Sequence, residues 1–505
     1  MKPRLVILGS LLTIIAVGLV LRVYHLDRPL FFSDEAFSWR VSTCDWPDLI
    51  RRTAGDTHPI GYHVILKAWM LAFGDSVESL RGLSILLGLL CIPAVYTLCL
   101  SAISFDKTSG DAGASTRTGP LFAACVVAIH AMQLDASRTA RMYALGALLA
   151  AITACVLLRA ISSRRMSWWL VYGIAVAVFL YTHNFAFFTV AAQWLFIVVY
   201  FIRRRRGLPS GDGKRLAIGF AMSIIVAALL YAPWLPIFLE QAARVQEDFW
   251  ISALTTRELG QSFANWATGI DHASAVESLA CLVTLVVVAA VSLRSGSAGA
   301  WCLFLQAALP WLLVIGISTL GHRPLLQDRY MTFSGVALVA LYGYFIDQCR
   351  RLPALSLLVL YIGSLCVYGS VQFMANVPGE LPAIIDMMHL VKKEYAVGDL
   401  VVAPAPASLN IVKYYASQSG FEFFDVKCPE PPAGRRGQIN HISSLDEGDI
   451  LGTHGEVPAA VRRLWSVGDG RSAVQGDWVK QRTWAYAIMD KSYPNGLTLV
   501  LYNRR

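Results

Sequence analysis

Residues 5–24 read LVILGSLLTIIAVGLVLRVY and are followed closely by FFSDEAFSW at 31–39. About 20 mostly apolar residues let a helix cross a bilayer, so the first run predicts a membrane-spanning helix. The second run holds two adjacent acids, Asp34 and Glu35, between aromatic pairs. Because ionised carboxylates near a membrane are costly, acids there indicate a functional site. Ser33 followed by acids also suits a helix N-terminus, and both interpretations can hold together.

The composition is that of a multi-pass membrane protein. Of its 505 residues, 56% are apolar and 15% are charged, and the mean hydropathy is +0.52. A soluble protein carries roughly a quarter charged residues. The net charge of +9 could indicate nucleic acid, but the basic residues lie between spans in a pattern typical of membrane orientation. We therefore expect no nucleic-acid partner.

The ten cysteines form no metal or disulfide pattern. Most lie singly in apolar runs, and no Cys-x-x-Cys pair or Cys/His cluster occurs, so neither a zinc site nor a disulfide scaffold is expected. Cys44 and Cys428 lie outside the spans and are weak candidates for a pair. The first apolar run lacks a small-residue cleavage site, so we interpret it as a retained span.

Eleven apolar runs predict a mainly α, polytopic helical bundle. They lie at 5–24, 80–102, 119–135, 141–160, 167–182, 184–202, 215–235, 275–293, 298–319, 330–348 and 353–371. We expect a transmembrane domain at 1–371 and a small α/β domain at 372–505. In the latter, Leu400–Ala403 and Thr498–Tyr502 predict strands, and Leu409–Ser417 predicts a helix.

Basic residues follow every second span, and the positive-inside rule assigns those junctions to the cytoplasm. They include Arg4, the Arg203–Arg206 run and Arg350. The N-terminus is then cytoplasmic. The acidic pair and the C-terminal domain then face outward, which in a bacterium is the periplasmic side of the inner membrane.

The first outer loop, 25–79, should contain helices. Asp45-Trp46-Pro47-Asp48 predicts a turn and a helix start. His58-Pro59 precedes the apolar run Val64–Phe73, which is too short to span and should lie in the membrane interface. Interfacial helices would hold the acidic pair at headgroup depth. A later outer loop, 236–274, should also hold an amphipathic helix.

Several arginines on the outer side break the charge rule that the rest of the chain obeys. Arg138 and Arg141 lie between spans three and four, and Arg329 lies beside Tyr330 at the start of span ten. Arginine suits phosphate because its planar fork is always charged and can bind bidentately. Alternatively, these side chains reach out to lipid headgroups. Arg323 is a weaker candidate of the same kind.

Five short motifs, taken in order, resemble a known enzyme group. They are Asp34-Glu35, His58-Pro59 before the interfacial helix, Leu80-Arg81 at span two, Arg141-x-Tyr143 at span four and Arg329-Tyr330 at span ten. The set is similar to the bacterial dolichyl-phosphate-mannose–protein mannosyltransferase-like family (glycosyltransferase family 39-like), which includes relatives of the lipid A aminoarabinose transferase. The resemblance covers roughly residues 1–350, and the tail after 372 matches nothing in that family.

The resemblance implies a GT-C fold and a membrane transferase that uses a polyprenyl-phosphate sugar, with Asp34 as catalytic base. Cytosolic nucleotide sugars cannot reach the outer side, so a lipid-linked donor agrees with the orientation. The acceptor would be a hydroxyl of a glycan, lipid or protein. Membrane lipids would be the remaining partners.

The residues suggest how such a reaction would proceed. Asp34 would take the acceptor proton, while Glu35 would orient the acceptor, raise the pKa of Asp34, or simply cap the helix or pair with an arginine. The outer arginines would stabilise the leaving phosphate. One displacement without an enzyme nucleophile implies inversion. No cofactor is indicated, although a divalent cation bridging Asp34 and phosphate is compatible with the pattern.

The predicted phosphate site comprises Arg138, Arg141, Arg329 and Tyr330. The predicted substrate contacts are His58, Tyr143 and His183, the last in the turn between spans five and six.

The competing class is a membrane transporter or lipid-linked sugar flippase, which would also combine many spans with intramembrane charges. Transporters usually contain repeats with broken helices at the bilayer midplane. This chain shows no repeat, and its charges lie at the outer ends of spans. A third class is a non-catalytic membrane scaffold whose outer tail binds partners.

Overall fold

The structure is a computed structural model, and it describes residues 3–105, 117–163, 165–204, 211–247, 254–294, 296–320, 324–349, 356–403, 406–420, 426–427, 461–468, 478–486 and 497–504. The chain forms two compact units. The first comprises Met1–Tyr24, Arg81–Phe238 and Ile251–Asn376, and the second comprises His25–Leu80, Leu239–Trp250 and Val377–Arg505. The second unit is thus discontinuous in sequence. The functional division at residues 371/372 stays a prediction.

Helices make up most of the described residues. In chain order they are α1 (Pro3–Val23), α2 (Ser33–Thr43), α3 (Trp46–Gly55), α4 (Gly61–Phe73), α5 (Val77–Ser104), α6 (Thr118–Ile129), α7 (Ala131–Arg138), α8 (Tyr143–Ser163), α9 (Met166–Leu180), α10 (Ala186–Arg204), α11 (Asp212–Tyr231), α12 (Leu235–Glu247), α13 (Thr256–Thr268), α14 (Ala275–Arg294), α15 (Ala298–Leu320), α16 (Thr332–Cys349), α17 (Ser356–Ala375), α18 (Ala383–Glu394) and α19 (Pro406–Gln418). Short 3₁₀ turns lie at Ala232–Trp234 and Asp328–Met331.

The hydropathy pattern predicts the membrane bundle well. Each of the eleven predicted spans corresponds to a helix, and nine helices among the described residues are long and apolar enough to cross a membrane. The pair α6–α7 would make a tenth, although it bends by 54°. The remaining helix, α9, has 15 residues, which is short for a crossing of about 20. Nine or ten spans are therefore supported rather than eleven.

The bend between α6 and α7 exposes carbonyl groups that other helices satisfy. Arg22, fully buried on α1, donates from Nη1 to the carbonyl of Ala128 at 2.8 Å and from Nη2 to that of Val127 at 3.4 Å. The Ser370 hydroxyl on α17 donates to the carbonyl of Ile129. Freed backbone groups in a membrane need such partners, so these hydrogen bonds stabilise the bend between α6 and α7.

A buried hydrogen-bond network joins four helices of the first unit. The Tyr172 hydroxyl donates to Gln193 Oε1 at 2.8 Å, and Gln193 Nε2 donates to Thr153 Oγ1 and Gln306 Oε1, both at 2.9 Å. These residues lie on α9, α10, α8 and α15. Polar side chains of this kind hold membrane helices together, so the network fixes how these helices pack.

The loop at 25–79, which the sequence predicts to face outward, is helical, as predicted, and belongs to the second unit. Asp45 caps α3, because its side chain accepts the amide of Asp48 at 2.9 Å. Phe37 and Val41 of α2 pack with Leu49 of α3 in a small core that Val64 of α4 also contacts. The predicted interfacial run is therefore a helix, α4, and the loop at 236–274 likewise contains helices, α12 and α13.

The C-terminal part of the second unit contains a mixed sheet. Its strands are β1 (Leu400–Val402), β2 (Val426–Lys427), β3 (Arg463–Gly468), β4 (Trp478–Tyr486) and β5 (Leu497–Arg504), in the spatial order β2-β1-β3-β5-β4. The first three are parallel, and β5 pairs antiparallel with β3 and β4. Both predicted strands and the predicted helix, α19, are confirmed. Cys428 lies outside the described residues.

Candidate functional site

The acid helix, α2 (Ser33–Thr43), carries both predicted acids in its first turn. Phe32 occupies the cap position, so Ser33 is the first helical residue rather than the cap. Glu35 is fully buried, and its Oε2 accepts the amide of Phe32 at 3.4 Å. This contact supports the capping role among those considered for Glu35. Asp34 is half-buried at the positive end of the helix dipole, where a carboxylate is favoured.

His58 lies in the same unit, in the link between α3 and α4. Its side chain is buried, and its carbonyl accepts Nε2 of Gln241 at 3.3 Å. The same Nε2 donates to the carbonyl of Thr53 at 3.0 Å. Helix α12 therefore holds the backbone of this link in place, while the predicted substrate contact of His58 stays a prediction.

Five predicted residues of the first unit lie together, and we call them the cation–aromatic cluster: Arg141, Tyr143, His183, Arg329 and Tyr330. The His183 ring lies 4.8 Å from that of Tyr330 and 6.0 Å from that of Tyr143, measured between centroids. The Arg329 guanidinium carbon lies 5.7 Å from the Tyr143 ring centre and 5.8 Å from that of Tyr330. These distances are typical of cation–π contacts.

Hydrogen bonds of the backbone and of neighbouring side chains hold the segments that carry the two arginines of the cluster. Arg141 lies in the link between α7 and α8, where its amide donates to the carbonyl of Thr139 at 2.7 Å and its carbonyl accepts the Ser84 hydroxyl at 3.4 Å. Arg329 lies in the 3₁₀ turn at Asp328–Met331. That turn is tied to α13, because Asn265 Nδ2 donates to Asp328 Oδ2 at 2.9 Å.

His183 is neutral at physiological pH. Its Nδ1 accepts the amide of Phe185 at 3.0 Å, which assigns the ring proton to Nε2. Burial lowers the pKa of His183 to about 3, and the nearby charges of Arg141 and Arg329 act in the same direction. His183 is therefore an uncharged neighbour of two guanidinium groups, and it is unsuited to proton transfer near pH 7.

Two aromatic residues of the cluster region escaped the sequence analysis. The Phe185 ring lies 4.6 Å from that of Tyr330, and the Phe333 ring lies 5.4 Å from that of His183. Phe185 belongs to the same turn as His183, and Phe333 follows Arg329 by four residues. That spacing brings side chains to one helix face, so it could have indicated Phe333.

Arg138 makes contacts that the sequence analysis did not predict, and its predicted role in phosphate binding stays a prediction. Its Nη1 donates to three carbonyls at the end of α1, those of Leu21, Arg22 and Tyr24, at 3.0, 3.1 and 2.7 Å. The last carbonyls of a helix lack intrahelical partners. Arg138 thus caps α1, and these contacts favour a structural role over phosphate binding. Arg323 lies outside the described residues.

In the described part of the chain, no three His, Cys, Asp or Glu side chains lie close enough together to hold a metal ion. The divalent cation considered from the sequence stays a prediction.

Comparison with known proteins identifies the fold. No family profile and no curated protein sequence matches the chain. Crystal structures that share its fold include ArnT from Cupriavidus metallidurans in the apo state, with a TM-score of 0.59, and the same protein bound to undecaprenyl phosphate, with a TM-score of 0.58. Each is 13% identical to this chain, and each comparison covers 98% of both chains. The predicted resemblance is therefore confirmed at the level of the fold, which is that of ArnT over nearly the whole chain.

Proposed function

We propose that this protein is an integral membrane glycosyltransferase that moves a sugar from a polyprenyl phosphate to an acceptor hydroxyl at the outer face. The observation that carries the proposal is the cation–aromatic cluster. Three separate links between helices bring two arginines around one neutral histidine. The chain also shares its fold with ArnT, which was crystallised with undecaprenyl phosphate bound.

In this proposal, the cluster binds the phosphate of the lipid donor. Arg141 and Arg329 stabilise the negative charge that grows on the phosphate as the sugar leaves, because fixed donors are most effective in a site that excludes water. Tyr143 and Tyr330 hold the Arg329 guanidinium against their rings. His183 packs beside the two guanidinium groups as an uncharged side chain. Arg138 acts through the packing of α1.

The acid helix supplies the other half of the reaction. A hydroxyl is a weak nucleophile, and a carboxylate that takes its proton contributes about 10²–10⁴-fold. Asp34 performs this step, while Glu35 holds the start of α2 through the amide of Phe32. A single displacement then inverts the configuration at C1.

The transporter alternative has one feature in its favour, the broken pair α6–α7, since broken helices often bind ions in transporters. Here, however, the carbonyls of Val127, Ala128 and Ile129 accept hydrogen bonds from Arg22 and Ser370. Carbonyls that are occupied in this way brace the bundle. The enzyme proposal therefore accounts better for the described contacts.

The proposed function is tested with purified protein in nanodiscs and a panel of labelled polyprenyl-phosphate sugars. We expect release of the polyprenyl phosphate from at least one donor, with an acceptor supplied as a membrane extract. Release from no donor would contradict the proposal. Transfer of intact labelled lipid between leaflets of sealed liposomes, without cleavage, would support the flippase instead.

The proposed orientation is tested by cysteine labelling in whole cells with a membrane-impermeant maleimide. Arg51 and Arg165 are both exposed, and they lie in a predicted outer loop and a predicted cytoplasmic junction. Arg51→Cys should react in intact cells, and Arg165→Cys should react only after the cells are opened. The reverse pattern would place the acid helix in the cytosol and end the case for an outer site.

A further inference from the structure

The acid helix is braced by a helix from the far end of the chain. Phe31, two residues before α2, is fully buried, and its amide donates to the Tyr415 hydroxyl on α19 at 2.8 Å. The Phe31 ring packs on that of Tyr414 with centroids 4.2 Å apart. Both the backbone and the side chain that lead into the acid helix are thus held by α19.

The same α19 residue also contacts the acid helix further along. The Tyr414 and Trp39 rings form an edge-to-face pair, with centroids 5.2 Å apart. Trp39 Nε1 donates to Asp75 Oδ2 at 2.9 Å, and the Tyr414 hydroxyl donates to the Asp75 carbonyl at 3.3 Å. Asp75 therefore joins α2, α19 and the link between α4 and α5. Contacts at residues 31 and 39 fix the axis of α2 at two points.

Helix α19 is itself anchored in the C-terminal sheet. It connects β1 to β2, which are parallel neighbours. Leu409, Ile411 and Val412 on α19 are buried, as are the strand residues Leu400 and Val402. Helix α19 also contacts strand β2 and helix α18, so it provides a fixed surface for α2 rather than a loose contact.

We propose that the C-terminal segment of this protein positions the catalytic carboxylate, with Tyr414 and Tyr415 as its positioning residues. The inference rests on the proposed role of Asp34, which lies three residues after Phe31. Small displacements of a reacting group are costly, since about 1 Å can lower a rate 10²-fold. These contacts keep Asp34 at one place relative to the acceptor, so the C-terminal segment acts on the chemical step through the position of α2.

The inference predicts a separation between kcat and KM. Tyr415→Phe removes only the hydroxyl that accepts the Phe31 amide, and Tyr414→Leu removes the ring between Phe31 and Trp39. We expect kcat to fall about three- to tenfold for Tyr415→Phe, as for one lost hydrogen bond, and further for Tyr414→Leu. The KM for the lipid donor should stay within about twofold of wild type, because the donor phosphate binds at the cation–aromatic cluster.

Tyr395→Phe is the matched control. The Tyr395 hydroxyl donates to the carbonyl of Asp399 at 2.9 Å, within the same C-terminal segment and away from α2. This variant should keep the kcat of wild type. A second readout, hydrogen–deuterium exchange of the peptide spanning 31–39, should be faster than wild type in Tyr415→Phe and unchanged in Tyr395→Phe.

The outcomes separate the two proposals. If wild type is active, and Tyr415→Phe and Tyr395→Phe change kcat and the exchange of 31–39 by the same amount, the positioning role is overturned and the proposed function stays intact. A rise in KM at constant kcat would also overturn it, because it would place the tail in donor binding. Wild type that releases phosphate from no donor would overturn the proposed function and the catalytic part of this inference together.

Discussion

The acid helix and the cation–aromatic cluster are assembled in different ways. One short helix of the second unit carries both acids, and its start is held by Tyr415, 384 residues away in the chain. The cluster of the first unit is spread over three links between helices, and each link contributes one or two residues. In the proposed mechanism, the position of Asp34 therefore depends on contacts with α19, and the arrangement of the cluster depends on how the helices of the first unit pack.

This difference leads to separable effects. Damage to the acid helix should lower the rate of the chemical step, whereas damage to the cluster should weaken donor binding or its transition-state stabilisation. Residues that pack the spans should change stability alone. The predictions below test this separation, beginning with the largest effect.

Asp34→Asn should remove the base and lower kcat by about 10²–10⁴-fold. The substitution keeps the size of the side chain, so the protein should insert and fold as wild type does. Asp48→Asn is the control, since Asp48 pairs at the surface with Arg51 and should leave kcat unchanged. Activity of Asp34→Asn close to that of wild type, in the labelled-donor assay, would remove Asp34 from the mechanism.

Arg329→Gln and Arg141→Gln should each lower kcat/KM by about 10- to 100-fold, as expected for the loss of a charged hydrogen bond to phosphate. The exposed Arg257 in the same unit provides the control variant Arg257→Gln. Titration with undecaprenyl phosphate as product inhibitor gives an independent measure. Equal inhibition constants in wild type and both cluster variants would argue against a phosphate site.

Arg138→Gln should act on stability. It leaves the carbonyls of Leu21, Arg22 and Tyr24 without their donor, and one such buried loss costs about 1–3 kcal/mol. We expect a lower thermal unfolding temperature in detergent, while the remaining active fraction keeps the donor KM of wild type. A large rise in KM at unchanged unfolding temperature would restore Arg138 to the phosphate site.

His183 should have the smallest effect on activity and a measurable effect on the pH dependence of stability. Its folded pKa, about 3, lies below the value near 6.5 of an unfolded chain. The contribution of neutral His183 to the free energy of unfolding is therefore fully present above pH 6.5. It falls as the pH falls, by about 2 kcal/mol at pH 5. Thermal unfolding of wild type and His183→Gln at pH 7 and pH 5 measures this.

The His183→Gln variant should lose less stability than wild type when the pH falls. The variant lacks the titrating group, so its unfolding temperature should fall less between pH 7 and pH 5 than that of wild type. In the activity assay, wild type should show no titration from His183 between pH 6 and pH 8. A titration in this range that disappears in His183→Gln would mean that His183 is charged and discharged during turnover.

The sequence predicts much of this fold because hydropathy reports which segments lie in lipid. It misses the 54° bend within 119–135, because a bend of an apolar helix depends on partners elsewhere in the chain. Arg22 is such a partner, and in the sequence it is merely the last charge of the first span. The two predicted C-terminal strands follow from β-branched runs, but the pairing of β1 with both β2 and β3 joins distant segments that no local pattern connects.

The candidate site was predicted unevenly for a related reason. Asp34, Arg141 and Arg329 are recognisable because charges stand out beside apolar spans. Arg138 shows the same signal but caps α1, since a charge pattern does not reveal which acceptor a guanidinium meets. The sequence does not indicate that Tyr414 and Tyr415 contact α2, because aromatic residues in a C-terminal domain are expected in its own hydrophobic core.

The central claim is that the cation–aromatic cluster binds the phosphate of a polyprenyl-phosphate donor. A cryo-electron-microscopy structure of this protein with undecaprenyl phosphate tests it directly. We predict phosphate oxygens about 2.7–2.9 Å from guanidinium nitrogens of Arg141 or Arg329. Phosphate bound away from both arginines would contradict the account.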